Sequence, residues 1–308
     1  MRVLFWGTPE FAAAPLRALI GEGFDVVGVV TQPDKPQGRA RQVITSAVKR
    51  IALEEEIPLF QPNNAREPGL GEALRDLEPD IGIVVAYGHI LPQNIIDLPA
   101  KGTLNIHASL LPLLRGAAPI QAAIKQGLAE SGVTIMRVAQ ALDAGPILLQ
   151  ASTPILADET FGELSDRLSE LGALSLIEAL TLISIGAGKE KPQDDERATY
   201  AAKITRESSR IDWTASALEI SRLIRASDPK PGAYTQTPNF DVKMFGPKLM
   251  DGIKGEPGEV LKTTGGLVIA CGIDALRIAE VQPSGKKRMP AQEWTRGRGI
   301  VVGERFGA

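Results

Sequence analysis

Asn105 and His107 stand two residues apart in the run Thr103-Leu104-Asn105-Ile106-His107, a spacing that does chemical work if the run is a strand. Side chains alternate faces along a strand, so the amide and the imidazole then share one face while Leu104 and Ile106 enter the core. An amide beside an imidazole suits attack of an amine on a carbonyl carbon. The Asn105 amide can donate a hydrogen bond to an oxygen that gathers negative charge, and losing one such donor costs about 10²- to 10³-fold in rate. The His107 ring can take up and return a proton near neutral pH. A carboxylate beside it would fix its tautomer, and Asp143, in Leu142-Asp143-Ala144-Gly145, is the candidate. Sequence alone does not bring Asp143 to His107, and Asn-X-His also suits a histidine that merely satisfies the core.

The elements that must hold these residues alternate in type. Arg2 to Trp6, Asp25 to Val30, Ile81 to Ala86 and Thr103 to His107 are short apolar runs that read as buried strands, with helical patterns between them at Ser46 to Glu56 and Gly69 to Leu77. Thr8 can cap a helix whose first position suits Pro9, although Pro15 makes that helix start later or bend. Alternation of this kind predicts an α/β fold with a doubly wound, mostly parallel, Rossmann-like sheet, whose ligands sit beyond the carboxyl ends of the strands. Gly132 to Val138 and Pro146 to Gln150 read as two further strands flanking the Asp143 loop, and Thr160 to Ile185 as a long amphipathic helix. Gly, Lys, Pro, Gln and acidic residues then give linker composition. Beyond it, one helical pattern (Ser216 to Ala226) precedes short β-rich stretches, which predict a small β-barrel, OB-like. The expected division is a catalytic domain over 1–187, a linker over 188–206 and a C-terminal β-barrel over 207–308.

His107 is followed by Ala108-Ser109-Leu110-Leu111-Pro112 and then Arg115-Gly116. This run resembles the N-X-H-X-S-L-L-P signature of the formyltransferases that use 10-formyltetrahydrofolate, and the downstream Leu142-Asp143-Ala144-Gly145 matches the aspartate motif of the same family. GTPEFAA from Gly7, TQPDKPQGR from Thr31 and RGAAPIQ from Arg115 look like motifs of the branch that acts on methionyl-tRNA, and the resemblance covers essentially the whole chain. It implies an enzyme moving a formyl group from 10-formyltetrahydrofolate to the amino group of initiator methionyl-tRNA, as a monomer and without a metal. It implies roles as well: Asn105, His107 and Asp143 hold the formyl group, Ser109, Leu110, Leu111 and Pro112 contact the folate, and Tyr87 and Gly88 end the segment that accepts the pterin. Arg39 and Arg41 would meet the unpaired end of the tRNA. Leu113-Leu114 and Gln42-Val43-Ile44 depart from the more basic stretches usual in that branch.

Composition narrows the rest. Of 308 residues 44% are hydrophobic and 23% charged, enough to build a core and enough length for two domains. The opening MRVLFWGTPEF breaks its apolar run at Thr8, so neither a signal peptide nor a membrane span is expected there. A single cysteine, Cys271, allows no intrachain disulfide and suits a reducing, cytoplasmic compartment. Residues 1–205 carry 18 basic and 25 acidic side chains, whereas 206–308 carry 16 and 12, so the C-terminal third is basic. Lys286, Lys287 and Arg288 are candidates there for a phosphate-facing surface, as is the early run of Lys35, Arg39, Arg41, Lys49 and Arg50. Three rivals remain. A sugar-nucleotide N-formyltransferase keeps the donor and changes the acceptor. A dinucleotide-dependent oxidoreductase would need G-x-G-x-x-G after Phe5, where the chain reads Trp6-Gly7-Thr8-Pro9-Glu10-Phe11. A non-catalytic binder of the same fold would be expected to lose the polar trio.

Overall fold

Runs as continuously apolar as Val3 to Trp6 leave no face for water, and each of the early runs becomes a strand of one buried sheet. The computed structural model describes residues 1–37, 42–237, 240–297 and 299–307. The sheet contains β1 (Arg2–Gly7), β2 (Asp25–Val30), β3 (Leu59–Phe60), β4 (Ile81–Val85), β5 (Thr103–His107), β6 (Glu130–Arg137) and β7 (Ile147–Pro154), in the order β7-β6-β5-β4-β1-β2-β3. Strands β3, β2, β1, β4 and β5 are mutually parallel, while β6 runs antiparallel to β5 and to β7. The mostly parallel, doubly wound sheet expected from the sequence is therefore present. The two-residue β3 was not anticipated, being too short to show any periodicity.

The winding reverses between β1 and β4, and the carboxyl ends of these neighbours open the crevice where sheets of this type hold ligands. After β1, a single 3₁₀ turn (Glu10–Ala12) leads into α1 (Ala13–Gly21), so Pro15 falls in the first helical turn, where its missing N–H leaves no bond unmade. Helix α2 (Ala47–Glu54) is capped by Ser46, whose hydroxyl accepts from the Lys49 N–H at 3.1 Å, and buries Ala47, Val48, Ile51 and Ala52 along one face. Helix α3 (Leu70–Arg75) drives Leu70 and Leu74 into a cluster with Leu4, Trp6, Val30 and Tyr87.

The chain divides into two compact units, one of Met1–Pro119, Glu130–Pro154 and Ser165–Ala201, the other of Ile120–Ala129, Ile155–Leu164 and Ala202–Ala308. The long helix α4 spans Phe161–Ser184. In the second unit, α5 (Ala217–Ser227) opens with a reciprocal cap between Ser216 and Glu219. An antiparallel sheet follows, in the order β8 (Tyr234–Gln236), β9 (Asp241–Met250), β12 (Ala275–Pro283), β11 (Leu267–Ala270) and β10 (Val260–Lys262), with Met289–Pro290 paired to β12. This curled sheet is the expected small β-barrel in half-barrel form, closed over Ile220, Ile224, Met244, Ile269, Leu276 and Trp294. Arg288, a candidate for a phosphate-facing surface, is engaged otherwise: its guanidinium reaches Asp228 at 2.8 Å and Glu280 at 2.6 Å and lies over the Phe245 ring.

Candidate active site

Strand β5 ends at His107, and its register against β6 sets His107 opposite Thr134 and Asn105 opposite Met136. Asn105 is partly exposed, and its side-chain amide makes no hydrogen bond among the described residues. His107 is buried, and its ring is held from two sides. Nε2 lies 3.0 Å from the Leu114 carbonyl, and Nδ1 lies 3.6 Å from Oδ2 of Asp143. The second distance is too long for a hydrogen bond and within reach of an ion pair. The Gly116 N–H donates to the same Oδ2 at 2.8 Å, so the carboxylate is tethered to the backbone that follows Arg115.

The structure thus brings Asp143 to His107 from a loop between β6 and β7. Three residues around the site, Ala86, Leu114 and Asp143, are non-glycine residues with φ of 47°, 59° and 50°. Left-handed backbone at ordinary residues is costly and collects where function requires a shape that relaxed backbone does not take.

Ser109 to Pro112 form a tightly bonded turn. The Ser109 hydroxyl donates to the Leu113 carbonyl at 2.6 Å. The Thr134 hydroxyl donates to the Ser109 carbonyl at 2.7 Å and accepts from the Leu111 N–H at 3.1 Å. The Gln150 amide donates to the Leu111 carbonyl at 2.9 Å. Ser109 and Leu111 are buried by this bracing, whereas Leu110 and Pro112 keep part of their surface open.

At the crevice, the Gln32 amide donates to the Tyr87 carbonyl at 2.8 Å and Thr8 accepts from the Gln32 N–H at 3.3 Å. Gly88 has φ of 86°, a left-handed conformation that favours glycine, and an added Cβ would stand 2.6 Å from Nε2 of Gln32, displacing the end of that side chain. Gly88 is exposed, but the Tyr87 side chain is 1% exposed, turned inward against Trp6 at 5.1 Å between ring centroids. Burial pushes its hydroxyl up to about 12.

Arg39 and Arg41 lie outside the described residues. In the same early basic run, Lys49 bonds Asp34 at 2.5 Å, which holds that carboxyl below its usual range, and Arg50 pairs with Glu10 at 3.4 Å. Thr134, Gln150 and Gln193 carry no signal in the sequence, and Arg115 stands in the RGAAPIQ motif without a role of its own. Arg115 adjoins the signature, and the other three are ordinary polar residues in a strand or a linker-like stretch, with no local pattern to single them out.

The doubly wound sheet presents an amide and an imidazole on one strand with a carboxylate beside the imidazole, and the chain belongs to the formyl transferase family: residues 1–180 match its formyl transferase model and residues 203–299 the model of its C-terminal domain. The methionyl-tRNA formyltransferase of Pseudomonas putida (strain GB-1) is 48% identical over 288 residues, 93% of either chain. Among solved structures, HypX from Aquifex aeolicus in complex with tetrahydrofolic acid superposes with a TM-score of 0.67 at 21% identity, over 95% of this chain and 46% of that one. The N-formyltransferase from Helicobacter canadensis, in complex with folinic acid and dTDP-3-aminofucose, does so with a TM-score of 0.68 at 18% identity, over 90% and 98%. These two likenesses carry the fold.

Proposed function

We propose that this chain transfers the formyl group of 10-formyltetrahydrofolate to the α-amino group of methionyl-initiator tRNA, in the service of translation initiation. The observation that carries the reading is the placement of Asp143 against His107, on the strand that also presents Asn105. The relatives near half identity over nearly the whole chain, all named methionyl-tRNA formyltransferase, support the acceptor.

The residues present fit such a donor. The unengaged Asn105 amide is free to donate to the formyl oxygen as the amine nitrogen bonds to the formyl carbon and charge builds on that oxygen. When the bond from carbon to N10 of the folate breaks, the attacking nitrogen loses a proton and the departing nitrogen gains one. The reading assigns that proton to His107, whose Nε2 would have to leave the Leu114 carbonyl 3.0 Å away to exchange it, with Asp143 beside Nδ1 steadying the ring as its charge changes. Ser109 to Pro112 and Gly88 line the folate side, with Tyr87 supplying backbone. Arg39 and Arg41 are assigned to the tRNA end. The reading assigns charge stabilisation to protein hydrogen bonds and takes the chain as a cytoplasmic monomer; no helix among the described residues is long and apolar enough to cross a membrane.

An acceptor comparison tests it. With 10-formyltetrahydrofolate as donor, methionyl-tRNA should be formylated and a dTDP-linked amino sugar should not, and His107→Ala should abolish turnover while folate affinity stays within about twofold. Turnover confined to the amino sugar would move the chain to the rival class.

A further inference from the structure

We infer that Gln193, in the linker-like stretch after α4, is a positioning residue for Asp143, and the inference rests on the role proposed above for that carboxylate. Its side-chain amide donates to two carbonyls of one loop, those of Asp143 and Gly145, each at 2.8 Å. Its Oε1 accepts from Nε and Nη2 of Arg115 at 3.1 and 2.8 Å. Arg115 is 3% exposed and lies between the two residues that grip the catalytic pair from the other side, Leu114 at Nε2 of His107 and Gly116 at the Asp143 carboxylate. One side chain therefore ties the loop that carries Asp143 to the segment that fixes both His107 and Asp143.

The stretch holding Gln193 is itself stitched to both. Lys191 exchanges two backbone bonds with Ile147, at the start of β7, each at 2.8 Å. Farther along, Thr199 accepts from the Arg115 N–H at 2.8 Å and Ala201 from the Ala117 N–H at 3.0 Å, while the Thr199 hydroxyl accepts from the Leu114 N–H at 2.9 Å. Arg115 also bonds Asp195 at 2.6 Å. Residues 191–201 thus strap the 114–117 segment to the loop between β6 and β7. The strap also supports Asp143 at its φ of 50°, a left-handed conformation uncommon for non-glycine residues although Asp tolerates it better than most. A shift of about 1 Å in a catalytic group can cost on the order of 10²-fold in rate, so a residue that touches no substrate can still govern kcat.

Two substitutions separate the donors from the acceptor. Gln193→Leu removes both, and Gln193→Glu keeps the bond to Arg115 while turning an oxygen toward the two carbonyls. Both should lower kcat by about 10- to 100-fold while KM for methionyl-tRNA and for the formyl donor stays within about twofold. If Gln193 acts through Asp143, then Gln193→Leu placed in the Asp143→Asn background should lower the residual single-turnover rate no further, whereas a general loosening of the fold would lower it again. An unchanged kcat in Gln193→Glu, or full additivity with Asp143→Asn, overturns the inference and leaves the proposed reaction standing. Wild-type rates in Asp143→Asn itself would instead overturn the assignment of Asp143. Should Gln193→Leu fail to fold, Gln193→Glu, nearly the same in shape, decides alone.

Discussion

Asn105 and His107 show how differently two members of one site can be embedded. His107 is buried and contacted at both ring nitrogens, so removing it disturbs packing as well as chemistry. Asn105 makes no side-chain hydrogen bond among the described residues and is partly exposed. Asn105→Ala should therefore lower kcat by about 10²- to 10³-fold, the usual effect of losing one donor to a developing oxyanion. Its thermal midpoint should stay close to that of the native chain, because no protein hydrogen bond is lost. A large fall in the midpoint would mean that the amide is structurally committed, and its assignment as a free donor would then be wrong.

The loop between β6 and β7 is the element on which the site turns. It must bring a carboxylate back over the sheet within a few residues, and it does so by packing its own backbone against the strand it leaves. At Gly145 an added Cβ would stand 1.9 Å from the Arg137 carbonyl, a backbone atom with no freedom to swing aside. Gly145→Ala should force the loop outward. The expected cost is about 1–3 kcal/mol of stability, as for other overpacked sites, together with a fall in kcat as Asp143 leaves the ring. Urea unfolding and steady-state kinetics on the same sample check both, and a variant with native kcat would show that the loop repacks without moving its carboxylate. The strands on either side of this loop announce themselves by apolar runs; the loop's path does not, since it depends on contacts to residues 116 and 193, distant along the chain.

For the molecule as a whole, two groups among the described residues, the Tyr87 hydroxyl and the Cys271 thiol, are sealed in cores and held far above their ordinary ionisation. Burial raises the Cys271 thiol from 9.0 to about 12, and the Tyr87 hydroxyl from 10.0 to about 12. The folded chain holds these protons more tightly than the unfolded chain does. Their contribution to stability is thus complete below pH 9 and is lost as pH climbs from 9 toward 12. The urea midpoint should fall over that interval, and Cys271→Ala should make the fall shallower; an identical slope would remove the thiol from the account. At pH 8 a thiol reagent should leave the native protein unmodified and react quickly once denaturant opens the second unit, since the thiolate is the reactive form.

Much of this was written locally in the chain. The apolar runs and the caps at Ser46 and Ser216 dictate strands and helices because periodicity and capping act over a few residues. The pairing of Asn105 with His107 on one face likewise follows from strand geometry alone. The order of the sheet, the meeting of Asp143 with His107, the engagement of Arg288 with Asp228 and the conversion of a linker-like stretch into a strap were decided only in three dimensions. Each of these joins residues tens of positions apart through hydrogen bonds or ion pairs, and such contacts leave no periodic trace in the residues between them.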